Sequence, residues 1–374
     1  MKFERSKDPT VGVEWELQLL DPETLDLVDS IMPLMEFFPK AEFVKPEYIQ
    51  SCVELNTGIC QTSEEAARDI QGTLRRALRR CDELGIGLCS AGTHPFCRRL
   101  ALITPLPRYR KVETETGILS HMQITFSLHV HVGMSSGDEA MRVMYRLMPA
   151  VPAFVAMSAN SAFWRGHDTG HAAYRHRILA AAPNYGLPTT FEDWRAFNRF
   201  YESAIRSGSI KNFKNIHWDI RPHPDFGTLE LRAMDSPSSL ERLHGLVAFA
   251  RSLMLTLSSA SDAAVSELLP LGLPYWIEHE NRYRAAHLGM DGNFILDTDG
   301  RTRPLRDLAA DLIEFSRPAA EQHGETRGLD RAREMLDWTT DYDRQRSIYE
   351  KAMRASAIVA DLQGVLLESA KSEI

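Results

Sequence analysis

Thr10–Leu20 reads TVGVEWELQLL, and its side chains alternate. Val11, Val13, Trp15, Leu17 and Leu19 fall on one face of an extended strand, and Gly12, Glu14, Glu16 and Gln18 on the other. Glu14 and Glu16 therefore project together, about 7 Å apart along the strand. Two carboxylates on one face repel each other unless a cation or water screens them. Alone, the stretch reads equally well as an edge strand with a solvated acidic face. The decision comes from further along the chain, where three more strands repeat the design.

Gln50–Asn56 sets Ser51, Val53 and Leu55 against Cys52, Glu54 and Asn56. Gln123–Gly133, QITFSLHVHVG, is the cleanest alternation, with Ile124, Phe126, Leu128, Val130 and Val132 opposing Gln123, Thr125, Ser127, His129 and His131. Ile216–Arg221 and Thr228–Ala233 flank Pro222, Pro224 and Gly227 and read as a hairpin, with Arg221, Glu230 and Arg232 on its polar side. Shorter strands are expected at Phe43–Pro46 and Ile86–Ala91, and Leu25–Val28 is expected to return against the first strand after the turn at Asp21–Thr24.

Helices are expected between these strands. Thr62 and Glu65 form a capping box opening a helix that stops at Gly85. A long apolar helix runs from Gly137 to Ala162, kinked at Pro149 and Pro152. Phe191–Ser207 is helical, and a second capping box, Ser238 to Glu241, opens a helix reaching Ser259. Further helices fall near 275–288, 304–316, 328–338 and 342–369. Residues 98–120 and 165–190 read as loops beside a site. The implied architecture is α+β and a single domain over 1–374. A curved, mainly antiparallel sheet presents a polar face, and helices cover its outer face.

Bulk properties narrow the function. The 374 residues carry 51 acidic and 43 basic side chains, a net charge of −8, which argues against a nucleic-acid partner. No apolar run is long enough to span a membrane, and MKFERSKDPT is not a signal peptide, so a cytoplasmic protein is expected. The five cysteines include no C-x-x-C pair and read as buried reduced thiols. There is no G-x-x-x-x-G-K-[ST], and no G-x-G-x-x-G opens a helix after a strand.

Carboxylates with a histidine on rigid strands suit Mg²⁺ or Mn²⁺. Arginines in the same cleft neutralise phosphate oxygens, which carboxylates reach only through a bridging metal. The pattern suggests phosphoryl transfer from ATP. Each element also has a plainer explanation: His129 and His131 as a solvated face, Glu54 as an exposed strand acid, Glu230 and Arg232 as a cross-strand ion pair.

Several runs together resemble the carboxylate–amine ligases of the glutamate–cysteine ligase type 2 family. They are G-V-E-W-E-L at 12–17, V-E-L-N-T-G at 53–58, A-G-T-H-P-F at 91–96, H-V-H-V-G at 129–133, S-A-N-S, D-T-G and Y-R within 158–175, D-I-R-P at 219–222, L-E-L-R-A-M-D at 229–235 and E-N-R-Y-R-A at 280–285. The resemblance implies a glutamine-synthetase-like catalytic fold. It also implies ATP- and Mg²⁺-dependent ligation of a carboxylate, typically the γ-carboxylate of glutamate, to an amine such as that of cysteine. By motif position it makes Glu14, Glu16, Glu54, His131 and Glu230 metal ligands or their neighbours. It sets Arg232 and Arg221 on the phosphates or acyl phosphate, with Arg175, Asn281 and Arg284 as candidates for the nucleotide. His94 and His129 are substrate candidates. Many members carry a third acid where Trp15 stands; Trp15 lies on the apolar face, so a change in packing is expected there. Competing functions are a guanidino-type phosphotransferase on a similar sheet and a non-catalytic nucleotide or metal sensor. A homodimer is expected, because helices 138–163 and 239–259 carry more apolar surface than one sheet needs.

Overall fold

A computed structural model describes residues 1–40, 43–182 and 184–372. Its main sheet has seven strands: β1 (Val11–Leu20), β2 (Val44–Pro46), β3 (Cys52–Asn56), β4 (Gly87–Cys89), β5 (Ser127–Gly133), β6 (Ile220–His223) and β7 (Thr228–Asp235). The order is β6-β7-β5-β1-β3-β2, with β4 also against β1, and every pairing is antiparallel. β1 holds the sheet together because it is long enough for three partners. Residues 11–15 pair with β5, 14–18 with β3 and 18–20 with β4.

The alternation on β1 is realised. Val11, Val13, Trp15, Leu17 and Leu19 are buried under helices, while Glu14 and Glu16 stay partly accessible on the other face. Trp15 is fully buried and donates from Nε1 to Ser236 Oγ at 2.9 Å, so it lies in the packing of the apolar face, where the alternation sets it.

The covering helices are α1 (Ser63–Leu84), α2 (Gly137–Leu147), α3 (Val151–Ser158), α4 (Leu240–Ser259), α5 (Tyr275–Leu288), α6 (Leu305–Phe315), α7 (Thr326–Met335), α8 (Asp341–Ala352) and α9 (Ser356–Lys371). Thr62 caps α1 through the Glu65 N–H, and Gly85 ends it in the left-handed conformation. The helix expected from 137 to 162 is broken at the prolines into α2, a 3₁₀ turn at Met148–Ala150 and α3.

Several expectations are corrected. The second capping box does not form: Ser239 caps α4 by accepting from the Arg242 N–H, and Ser238 bonds Asp341 instead. The single helix expected over 342–369 is two, parted where Met353 takes a positive φ. Residues 98–120 hold helices at Pro107–Thr116 and Ile118–Met122 rather than a loop throughout. Leu25–Val28 contributes only the isolated bridge Leu20–Leu27. The strand expected over Ile216–Arg221 divides at Asp219, with His217–Trp218 pairing Tyr185–Gly186 and only the rest joining the hairpin. The ground for a dimer is removed as well. α3 is wholly buried and α4 nearly so, the latter packed among α1, α2, α6 and α7 of the same chain. No helix of the described residues is long and apolar enough to cross a membrane.

Candidate active site

Register sets the polar face. Glu14 stands opposite His129 on β5 and Asn56 on β3; Glu16 stands opposite Glu54; His131 stands opposite Glu230; Glu230 stands opposite Arg221 on β6. Residues directly opposite in an antiparallel pair share a face, so seven charged or ionisable side chains from five strands converge, and Arg232 on β7 joins them through its pair with Glu230. They sort into two clusters that share β1.

In the first cluster, one ligand atom each from Glu14, His131 and Glu230 lies within 4.8 Å of the others. His131 Nε2 is 3.5 Å from Glu14 and 3.7 Å from Glu230, is buried, and has no hydrogen-bond partner. An orphaned imidazole nitrogen facing two carboxylates is the donor set a divalent cation completes. Glu230 is wholly buried: Arg221 Nε donates to its Oε2 at 2.6 Å and Arg232 pairs with its Oε1. Burial favours the neutral acid, but Arg221, Arg232 and His131 together hold the Glu230 carboxyl well below the usual carboxylate range. Burial also opposes ionisation of Glu14, where the contact with His129 and the nearby His131 ring outweigh it and the carboxyl stays low.

The second cluster is Glu16, Glu47 and Glu54, again within 4.8 Å of one another. Its electrostatics are reversed. Burial, reinforced by Glu14 and Glu47, pushes the Glu54 carboxyl well up; burial and Glu16 push Glu47 to about 7; burial raises Glu16 as well. All three crowded carboxyls are pushed toward the protonated form, and a bound cation would favour their ionised form. Both donor sets fit Mg²⁺ or Mn²⁺: five carboxylates and one imidazole, with no thiolate in either cluster.

His129 joins the two clusters. Its Nδ1 is 3.0 Å from Glu14, its Nε2 is 2.9 Å from Ser127 Oγ, and Ser127 donates to Glu16 from both N and Oγ at 2.6 and 2.7 Å. Burial and Arg232 depress its pKa to about 4, so near pH 7 the ring carries a single N–H; placed on Nδ1 it donates to Glu14, and the one Ser127 hydroxyl proton then goes either to Nε2 or to Glu16.

Arg232 is aimed by a bulge. The register of β7 on β5 shifts between Leu231 and Met234, leaving Arg232 and Ala233 outside the ladder. Their backbone groups are satisfied elsewhere. Arg232 N donates to the Asp219 carbonyl at 2.7 Å, and Arg175 donates to the Arg232 and Ala233 carbonyls at 3.2 and 3.5 Å. The Asp219 carboxylate is in turn held bidentately by Arg282.

The model of the family described as "Glutamate-cysteine ligase family 2" matches residues 10–357. The chain belongs to this family. It is 40% identical over 362 residues to a protein of Trichormus variabilis that carries the provisional name glutamate–cysteine ligase 2, covering 97% of this chain and 94% of that one. A similarly named protein of Thermobifida fusca is 35% identical over 98% of this chain and 92% of its own length. Among solved structures, a bifunctional glutathione synthetase from Pasteurella multocida superposes with a TM-score of 0.71 at 13% identity, covering 97% of this chain and 52% of that one. A glutamate–cysteine ligase from Francisella tularensis in complex with AMP gives 0.66 at 11% identity, over all of this chain and 91% of that one. The fold is that of the glutamine-synthetase-like ligases, α+β as expected.

The chain thus brings together Glu14, Glu16, Glu54, His129, His131, Arg221, Glu230 and Arg232. Four other candidates have their bonds elsewhere. Arg175 backs the bulge. Asn281 spends both amide atoms on the Ile295 backbone, and Arg284 pairs with Glu280 on its own helix. His94 is buried, bonded to the Leu25 carbonyl and to the Phe96 and Cys97 N–H groups. Glu47 is the member that reading the sequence missed. It lies just past β2, and Lys45 already pairs with Glu54 on the polar side, so two more residues of alternation would have reached it. Arg282 was passed over for its neighbours Asn281 and Arg284.

Proposed function

We propose that the chain joins a carboxylic acid to an amine at the expense of ATP, the acid being the γ-carboxylate of glutamate and the amine that of cysteine or a close relative. The observation that carries this is the pair of carboxylate clusters sharing β1, with Arg221 and Arg232 reaching the first of them. Family membership and the names of the curated relatives supply the substrates. The solved ligase that holds AMP supports use of an adenine nucleotide.

A carboxylate oxygen is a very poor leaving group. Transfer of the γ-phosphoryl group converts it to an acyl phosphate, and the amine then attacks the acyl carbon and releases phosphate. Glu14, His131 and Glu230 would hold one Mg²⁺ or Mn²⁺, and Glu16, Glu47 and Glu54 a second. Such ions offset the negative charge of the phosphates. Arg232 and Arg221 offer guanidinium forks to phosphoryl oxygens from rigid strands. Glu230 fixes both forks, and the single N–H of neutral His129 holds Glu14. A reaction that consumes ATP, in a chain whose five cysteines are all free and buried, belongs in the cytoplasm.

The test is release of ADP and phosphate from ATP with Mg²⁺, glutamate and cysteine supplied together or singly. Turnover that needs both substrates supports ligation. Turnover with the acid alone would identify a phosphotransferase, and binding of ATP without turnover for any acid–amine pair would identify a sensor. Activity surviving excess EDTA would sink the metal assignment.

A further inference from the structure

The polar face does not end at Thr228. Two residues earlier, in the turn between β6 and β7, Phe226 is 63% exposed. Single exposed apolar side chains are common and mean little. This one differs in its setting. Its ring lies flat on His223, with centroids 4.0 Å apart and an angle of 8°. The same ring is 6.0 Å from His131, the imidazole of the first cluster. His223 also meets Phe213, and Phe213 carries the Arg221 guanidinium over its face at 5.5 Å. An aromatic shelf therefore continues directly from the acidic and cationic groups, and its outermost side chain, Phe226, is exposed.

The shelf is fixed. Glu4 N donates to the Pro224 carbonyl at 2.8 Å, and Met134 N to the Gly227 carbonyl at 2.9 Å. Gly227 has a φ of +65°, and a Cβ there would collide with the Glu4 carbonyl. Only glycine lets the N-terminal segment clamp this turn so closely.

We infer that Phe226 is the platform on which the nucleotide base stacks. The inference rests on the nucleotide reading above. With the phosphates toward Arg221, Arg232 and the first cluster, a flat π-system at the open end of the same face meets a planar base with no polar groups to desolvate. His223 behind it supplies the second layer of the stack. Base–aromatic stacking of this kind corresponds to roughly tenfold or more in affinity.

The experiment compares Mg-ATP and magnesium tripolyphosphate, which has no base, by calorimetric titration of the full chain and of Phe226→Ala, Phe226→Leu and Phe226→Trp. Because Phe226 is exposed, the variants should keep the wild-type melting temperature, which is measured alongside. The expected result is a Kd for Mg-ATP raised about tenfold in the alanine and leucine forms and kept in the tryptophan form, with tripolyphosphate affinity unchanged throughout. Equal losses for ATP and tripolyphosphate would overturn the inference, because Phe226 would then shape the site without meeting the base. An unchanged Kd for ATP in Phe226→Ala would overturn it as well. A wild-type chain that binds tripolyphosphate but gains nothing from the adenosine moiety would overturn it while leaving the phosphate site intact. Failure of the wild type to bind either ligand would remove the nucleotide reading itself.

Discussion

Arg232 pairs with Glu230, so both a catalytic and a purely structural role start from the same contact. They part on what lysine can do. Lysine preserves a point charge for the ion pair but cannot hold two phosphoryl oxygens at once. Arg232→Lys should lower kcat roughly 10²-fold or more, with a small effect on the KM for ATP and little change in melting temperature. Arg232→Ala should lose stability too, because it leaves a buried carboxylate with one partner fewer. Near-wild-type kcat in the lysine form would show the pair to be structural. Glu16 tests the other cluster. Its carboxyl is raised by burial beside Glu47 and Glu54, so Glu16→Gln should abolish turnover while leaving the melting temperature unchanged or higher. A clear drop in melting temperature would mean that its bonds from Ser127 matter more than the repulsion it adds. At this scale the sequence was legible wherever alternation continued unbroken, as at Glu14, Glu16, Glu54, His131 and Glu230. It failed at Glu47, where Pro46 ends the strand before the useful side chain.

At the scale of elements, periodicity and turn or cap residues located β1, β3, α1 and α4 closely, whereas the strand expected from Gln123 begins only at Ser127. The bulge in β7 was invisible. Arg232 and Ala233 keep the alternation, and only long-range partners, Asp219 and Arg175, reveal that they have left the ladder. His94 misled for a similar reason, since a histidine in a loop beside a site reads as a ligand. Here its ring staples the loop: Nε2 donates to Leu25 O at 3.0 Å, and Nδ1 accepts from Cys97 N at 3.0 Å. Burial lowers its pKa to about 4, against about 6.5 unfolded. The unfolded chain therefore takes up the proton more readily. The staple's stability is complete above pH 6.5 and is lost as pH falls toward 4, by about 3 kcal/mol. Glu47, whose folded pKa is raised to about 7, acts oppositely over an overlapping range, so the wild type alone would not reveal either effect. The comparison is with His94→Gln. Denaturant titrations from pH 7 to pH 4 should show the wild type losing about 3 kcal/mol more than the variant; parallel curves would mean that His94 takes up its proton as readily in the folded chain as in the unfolded one.

At the scale of the molecule, 374 residues exceed the size at which chains usually divide into separately folding units. The packing argues for one unit here. α4 lies at the centre, with α1 from the first part of the chain on one side and α6 and α7 from the last part on others. Arg251 on α4 donates to the Pro9 carbonyl at 2.7 Å, just before β1, and also pairs with Glu325, just before α7. Glu325 accepts from Ser63 N at 2.9 Å at the start of α1, so one buried ion pair ties three distant segments. At the far end, Gln71 and Arg75 of α1 donate to the carbonyls of Ser372 and Ala370 at 2.7 and 2.6 Å. Removing everything after residue 262 would expose much of the apolar surface of α4 and leave Arg251 buried without its carboxylate, a loss that stability of order 10 kcal/mol does not survive. The full chain should therefore unfold in urea through one transition, coincident by tryptophan fluorescence and far-ultraviolet circular dichroism, and a fragment spanning 1–262 should show no cooperative transition. Two separated transitions, or a fragment that melts cooperatively, would mean that the sheet carries its own core and that the C-terminal helices form a second domain.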